Sequence, residues 1–159
     1  MLFREIVPED NAPLAALVRE CLKANGLDIP GTVYYDPELD VLSDFYLGDP
    51  EKRFYLVAAD EENRAVGGIG LANFPGFRNC AELQKLYLSE FLRGQGTGYL
   101  LVKMIEEKAA AMGYEQMYIE THSNLETAIQ LYKVRGFQTI EKPPEVVHST
   151  MNRFFLKKL

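Results

Sequence analysis

Arg93-Gly94-Gln95-Gly96-Thr97-Gly98 stands between an apolar run, Ala81–Leu88, and a long segment from Gly96 to Met112. In that segment Leu101, Met104, Ile105 and Met112 share one helical face, and Gly113 is the stop. Closely spaced glycines let backbone N–H groups turn inward without Cβ clashes. The free N–H groups at a helix start, together with the helix dipole, then favour an anion. Arg93 adds a fixed positive charge beside them. The stretch therefore reads as a phosphate cradle, with the alternative that its glycines serve only tight packing at a helix start. Two nucleotide patterns fit poorly. A P-loop needs Lys after its glycines, and none follows here. In the dinucleotide pattern G-x-G-x-x-G, Gly94 and Gly96 fit, but the third position falls on Tyr99 and Gly98 comes one residue early.

Outward from this turn the chain reads as alternating strands and helices. Leu2–Val7 is a first strand. A helix from Asn11 to Asn25 carries Leu14, Leu17, Val18, Cys21 and Leu22 at i, i+3, i+4, i+7 and i+8, with Pro13 in its first turn and Gly26 as stop. A loop over Leu27–Asp36 leads to a shorter helix, Pro37–Leu47. Phe54–Ala59 and Ala65–Ala72 form a hairpin about the polar turn Asp60–Asn63. Gln116–Thr121 is a strand, and a helix follows from Leu125 to Val134, closed by Gly136. Ser123 and Glu126 have the spacing of a capping box. Asn152–Lys157 is the last strand. The order β-α-α-β-β-β-α-β-α-β-β predicts one α/β (α+β) layer fold with a largely antiparallel start, spanning residues 1–159 as a single domain.

Composition bounds the function. The chain has 159 residues, 17 Lys+Arg and 23 Asp+Glu, so its net charge is 17 − 23 = −6. An acidic chain is a poor candidate for nucleic-acid binding, which needs a basic stripe. Two cysteines, Cys21 and Cys80, exclude a disulfide scaffold, and Cys21 on an apolar stripe reads as a small core residue. Two histidines, His122 and His148, are too isolated to argue for a metal. No signal peptide and no run of membrane-spanning length is visible, so the expectation is a cytoplasmic protein with neither membrane nor nucleic-acid partner.

The run Arg93, Gly96, Gly98 resembles motif A, R/Q-x-x-G-x-G/A, of the GNAT superfamily of N-acetyltransferases. About thirty residues on, Ala128-Ile129-Gln130-Leu131-Tyr132-Lys133-Val134-Arg135-Gly136-Phe137 resembles that family's A-x-x-L-Y-x-x-x-G-F segment. The two motifs stand in order on the expected elements, and the element order matches over nearly the whole chain. The resemblance implies a GNAT-like fold: a mixed, largely antiparallel sheet flanked by helices and splayed at its centre, with acetyl-CoA in the cleft. The pyrophosphate would sit on the N–H groups from Gln95 to Gly98, assisted by Arg93 and flanked by Gly94. The strand Leu86-Tyr87-Leu88 would pair its backbone with pantetheine, and one of its N–H groups would face the oxyanion. The same strand could be plain core. Asn124 matches a family asparagine that contacts the cofactor.

Acetyl transfer to an amine poses two proton problems. An alkylammonium has a pKa of about 10.4 and must lose a proton before attack, and the leaving thiolate needs one. Tyr132 matches the family's general acid, although Leu125, Ala128, Ile129 and Tyr132 also fall at i, i+3, i+4 and i+7 and allow a core role. Glu82 is taken first as base, with Glu120 and His122 as rivals. Lys133 and Arg135 are candidates for the ribose phosphate. Tyr34, Tyr35, Asp36 and Glu38 offer an acidic, aromatic rim to a cationic amine, and Phe74–Arg78 a further wall. The expected activity is direct acetyl transfer from acetyl-CoA to a primary amine of a small molecule or peptide, by a monomer or homodimer. Its alternatives are a non-catalytic acyl-CoA sensor and a dinucleotide-dependent enzyme.

Overall fold

The structure, a computed structural model, describes residues 1–159. Seven strands form one sheet: β1 (Leu2–Glu5), β2 (Phe54–Ala59), β3 (Ala65–Phe74), β4 (Cys80–Leu88), β5 (Gln116–Thr121), β6 (Gln138–Thr139) and β7 (Arg153–Lys158). Their spatial order is β1-β2-β3-β4-β5-β7-β6. All neighbours are antiparallel except β4 and β5, which run parallel. A parallel pair needs a crossover connection, and α3 (Thr97–Ala111) supplies it. The other helices are α1 (Asn11–Ala24), α2 (Leu42–Leu47) and α4 (Glu126–Val134). The GNAT-like architecture expected from the sequence is the architecture observed.

Period-two alternation sorts the apolar residues onto the two faces of the sheet. On one face Leu56, Ile69, Leu71, Met117 and Ile119 pack under α3 and α4. On the other, Tyr55, Val57 and Ala59 pack under α1 and α2. Gly68 and Gly70 lie beneath the rings of Tyr46 and Tyr55. A Cβ on Gly70 would come within 2.7 Å of the Tyr46 hydroxyl and 2.8 Å of the Tyr55 ring. The glycines therefore let two buried tyrosines press flat on the strand. Their hydroxyls then reach β4: Tyr55 donates to the Lys85 carbonyl at 3.0 Å and Tyr46 to Gln84 Oε1 at 2.7 Å.

Those contacts hold a β-bulge. Gly70 pairs with Gln84 and Gly68 with Tyr87, so β4 carries one extra residue. Lys85 takes the left-handed conformation there, with φ 49°. The bulge reverses the alternation: Ala81 and Leu83 face α3 before it, Leu86 and Leu88 after it. It also bends the strand. Pairing of β4 with β5 covers only Cys80–Glu82 against Gln116–Tyr118. Beyond Glu82 the two strands part, and from Leu83 to Leu88 no strand covers the β5-facing edge.

Two local expectations are corrected. Pro37–Leu47 is not one helix: a 3-10 turn at Leu39–Val41 precedes α2, and Val41 breaks the run with φ −134°, ψ 42°. The Asn11 side chain fixes the restart, accepting the Ser43 N–H at 2.8 Å. Nor does Ser123 cap α4, whose N-cap is Leu125 without a side-chain bond. Ser123 is instead tied to the start of β7 through both its N–H and its hydroxyl, on Asn152.

Gly70→Ala is expected to destabilise the fold by about 1–3 kcal/mol through overpacking against Tyr46 and Tyr55. Thermal unfolding checks this, and an unchanged midpoint contradicts the packing account.

Candidate active site

Where β4 and β5 separate, a cavity of about 510 Å³ opens between them, floored by the sheet and walled by α1, α3 and α4. The glycine turn forms one end. Gly94 and Gly96 both have positive φ, 73° and 81°, and open space where a Cβ would stand. Gly96 is the N-cap of α3, so the free N–H groups of the first turn face the cavity. Gly98 is packed, its α-carbon closed in by Leu131 and Leu88. Gly94, Gly96, Thr97 and Gly98 line the cavity with Arg93. Gln95 does not, because its side-chain amide donates to the Phe91 carbonyl at 2.6 Å. An Nη of Arg93 donates to the Cys21 Sγ at 3.4 Å. Cys21 is thus a wall of the cavity as well as a core residue, and burial pushes its thiol up against the pull of Arg93.

Leu86, Tyr87 and Leu88 line the same cavity along the uncovered edge of β4. An unpaired edge presents backbone donors and acceptors in a row. Tyr132 reaches the cavity from α4 while packing against Phe137 and Phe155. Burial alone holds its hydroxyl in the protonated form, with its pKa well above that of a free phenol. Asn124 also lines the wall, and its amide donates to the Asn25 carbonyl at 2.9 Å.

The far end carries carboxyl groups. Glu82 on β4 pairs with Tyr118 on β5, which places Glu120 diagonally across on the same face. Glu82 is 8% exposed. Burial, then the charge of Glu120, pushes its carboxyl up to about 8. Gln84 donates to Glu82 Oε1 at 2.5 Å, and Tyr46 holds Gln84 in place. Glu120 goes the other way. Burial would raise it, but His148 outweighs burial, through its backbone N–H at 3.1 Å and its Nδ1 at 3.3 Å, and Glu120 stays ionised. The other ring nitrogen of His148 lies 2.8 Å from Asp36 Oδ1. Burial alone would lower the imidazole, yet the two carboxylates raise it to about 9. Two interacting carboxyls with one proton between them are the outcome expected of like charges at close range.

Several sequence candidates fall elsewhere. His122 is outside the cavity, its Nδ1 accepting the Asn124 N–H. Arg135 is bound to Glu106 at 2.8 Å and to the Tyr99 hydroxyl at 2.9 Å, and neither it nor the exposed Lys133 reaches the cavity. Asp36 and Glu38 are no open rim, since both pair with the buried Lys85, at 3.2 and 3.7 Å. Phe74 and Phe77 pack against Tyr118, away from the cleft. His148 and Lys85 were invisible as site residues. His148 is 112 residues from Asp36, and no local pattern announces such a pairing.

Residues 16–137 match the family model described as the acetyltransferase (GNAT) family. The chain is 34% identical over 142 residues to YjgM, an uncharacterized N-acetyltransferase of Escherichia coli (strain K12), covering 88% of this chain and 83% of that one. Its fold is similar to that of an acetyltransferase of the GNAT family from Staphylococcus aureus Mu50, with a TM-score of 0.87 at 20% identity, covering 99% and 98% of the two chains. A phosphinothricin acetyltransferase from Sinorhizobium meliloti, solved in complex with acetyl-CoA, has a TM-score of 0.77 at 22% identity, covering 99% of this chain and 88% of that one.

The raised groups set the pH response. Glu82 and His148 contribute stability fully below their ordinary values of 4.5 and 6.5, and lose it as pH rises through about 8 and about 9. Glu82→Gln removes the first loss. Its thermal midpoint is expected to gain on the wild type as pH rises from 4.5 to about 8 and to hold that gain above it, and parallel midpoints across that range contradict the assignment.

Proposed function

The chain belongs to the acetyltransferase (GNAT) family, and from that premise we propose that it transfers an acetyl group from acetyl-CoA to a primary amine by direct attack. The observation that carries this reading is the shared cavity. A phosphate-sized turn, an uncovered strand edge, a neutral phenol and a carboxyl of raised pKa follow one another along its walls. Such a sequence of groups suits acetyl-CoA end to end. The pyrophosphate takes the N–H groups from Gly96 to Gly98, with Arg93 as counter-charge. The two pantetheine amides pair with the backbone of Leu86–Leu88, as an added strand would. The thioester then lies between Tyr132 and the carboxyl end of the cleft. That the phosphinothricin acetyltransferase of Sinorhizobium meliloti, similar in fold, was solved in complex with acetyl-CoA supports the choice of ligand.

The chemistry then follows from the residues. In the ionised form that Glu82 gains as pH approaches about 8, its carboxylate takes one proton from an amine arriving as its ammonium ion, and the raised pKa narrows the gap to the amine. The neutral nitrogen attacks the acetyl carbonyl, and a strand N–H near Leu86–Leu88 holds the developing oxyanion. The C–S bond breaks and the thiolate takes the proton of Tyr132; the second proton shed by the nitrogen restores the phenol, and Glu82 releases the first to solvent. Net, an ammonium ion and acetyl-CoA give an amide, coenzyme A and one proton to solvent. Neither cysteine acts as nucleophile. Cys80 is fully buried outside the cavity, and the Cys21 thiol is held protonated.

Acetyl-CoA is expected to raise the thermal midpoint and NAD(H) to leave it unchanged, since ligand at a hundredfold excess over its dissociation constant adds about 2.7 kcal/mol. Stabilisation by NAD(H) instead would replace this reading with the dinucleotide one. Tyr132→Phe is expected to keep the acetyl-CoA shift while turnover falls by about ten- to a hundredfold. Full turnover in that variant removes Tyr132 from the reaction.

A further inference from the structure

The carboxyl end of the cleft is short of positive charge. Lys85 lies between Asp36 and Glu38, and His148 between Asp36 and Glu120, so each cation is already flanked by two carboxylates. Glu82 stands beside Glu120 with one oxygen bonded to Gln84 and no protein donor on the other. Four carboxyls less two cations leave an excess of two negative charges, or one with Glu82 protonated. Lys85, Arg93 and His148 are the only Lys, Arg or His on the cavity wall, and Arg93 stands at the glycine turn. No unpaired cation remains at this end.

The mouth of the same end is strapped. The loop before β7 crosses to the loop after α1, where the Thr150 N–H donates to the Gly31 carbonyl at 3.0 Å and its hydroxyl to the Pro30 carbonyl at 2.7 Å. The His148–Asp36 pair is a third tie. The loops touch so closely that a Cβ on Gly31 would lie 2.5 Å from both Ser149 Oγ and Thr150 Oγ1. Both loops also line the cavity, one through Thr32 and Val33, the other through His148 and Met151. A polypeptide laid across the mouth would have to part them.

We propose that this end of the cleft selects a small aliphatic amine without a carboxylate, whose ammonium group supplies the missing positive charge, and rejects amino acids and polypeptides. The proposal rests on the acetyltransferase reading and narrows its acceptor. An ammonium ion meets Glu82 and Glu120 directly. A carboxylate on the same molecule would be buried against Glu82 and Glu120, with Asp36 behind His148 and no free cation to receive it, and like charges so placed are strongly unfavourable.

The test is acetylation of matched pairs by the wild-type protein: putrescine against ornithine, cadaverine against lysine, and an amidated tripeptide as the large amine. Each diamine is expected to exceed its carboxylated twin in kcat/KM by more than about tenfold, and the tripeptide is expected to fall below both diamines. Glu120→Gln, with one negative charge fewer, should narrow the diamine-to-amino-acid ratio. The inference is overturned if no diamine exceeds its twin, or if the tripeptide matches the diamines. Thermal stabilisation by acetyl-CoA, measured on the same samples, separates the two failures. With it, only the acceptor assignment falls; without it, the acetyltransferase reading falls as well.

Discussion

Three backbone pairs, Cys80–Gln116, Ala81–Met117 and Glu82–Tyr118, are all that join β4 to β5. Everything functional in the molecule depends on the pairing stopping there. Above Glu82 the sheet is open, and the opening is at once the cavity, the free edge of β4 and the reason two glutamates can face each other inside a protein. A continuous ladder would fill the space and cover the edge. The device that bends β4 is the bulge at Lys85, whose carbonyl is held by the Tyr55 hydroxyl. That tyrosine can lie flat only because Gly68 and Gly70 carry no side chain. A run of glycines in β3 thus reaches the site through one aromatic layer.

The bulge also links geometry to charge. It turns Lys85 to the face occupied by Asp36 and Glu38, where the buried ammonium anchors the segment that follows α1. Asp36 in turn holds His148, and His148 holds Glu120 in its ionised form. Burial is the largest cause that lifts Glu82, and the charge of Glu120 comes next. The carboxyl proposed as base therefore owes its properties to residues from four separate parts of the chain. Burial of this many ionisable groups is unfavourable unless each is compensated. The compensation is complete for the cations and incomplete for the anions, which is the electrical basis for preferring a cationic ligand.

Legibility in the sequence followed the range of the interactions involved. The glycine turn, the helix after it and the Tyr132 segment are local patterns whose backbone requirements show in residue type, and their elements lie within a residue or two of expectation. Even the bulge left a trace: Leu83, Leu86 and Leu88 break a spacing of two with a step of three, which only an extra residue in the strand accommodates. By contrast Ser123 and Glu126 have the spacing of a capping box and do not form one, because Asn152, distant in sequence, takes the Ser123 side chain. Arg135 next to Tyr132 looked like a cofactor ligand, and Glu106 on the neighbouring helix had a better geometric claim.

The sequence alone determined the family, the element order, the anion-seeking turn and the placement of Glu82 and Tyr132 on elements that border one cleft. These rest on short-range rules: steric freedom at glycine, helical and strand periodicity, and motif spacing. Only the tertiary structure decided which carboxyl is protonated, which cations are already paired, and that Thr150 and Gly31 strap the mouth. Those properties are sums of burial and Coulomb interactions over residues up to 120 positions apart. Such sums depend on distances in space, and spacing along the chain does not encode them.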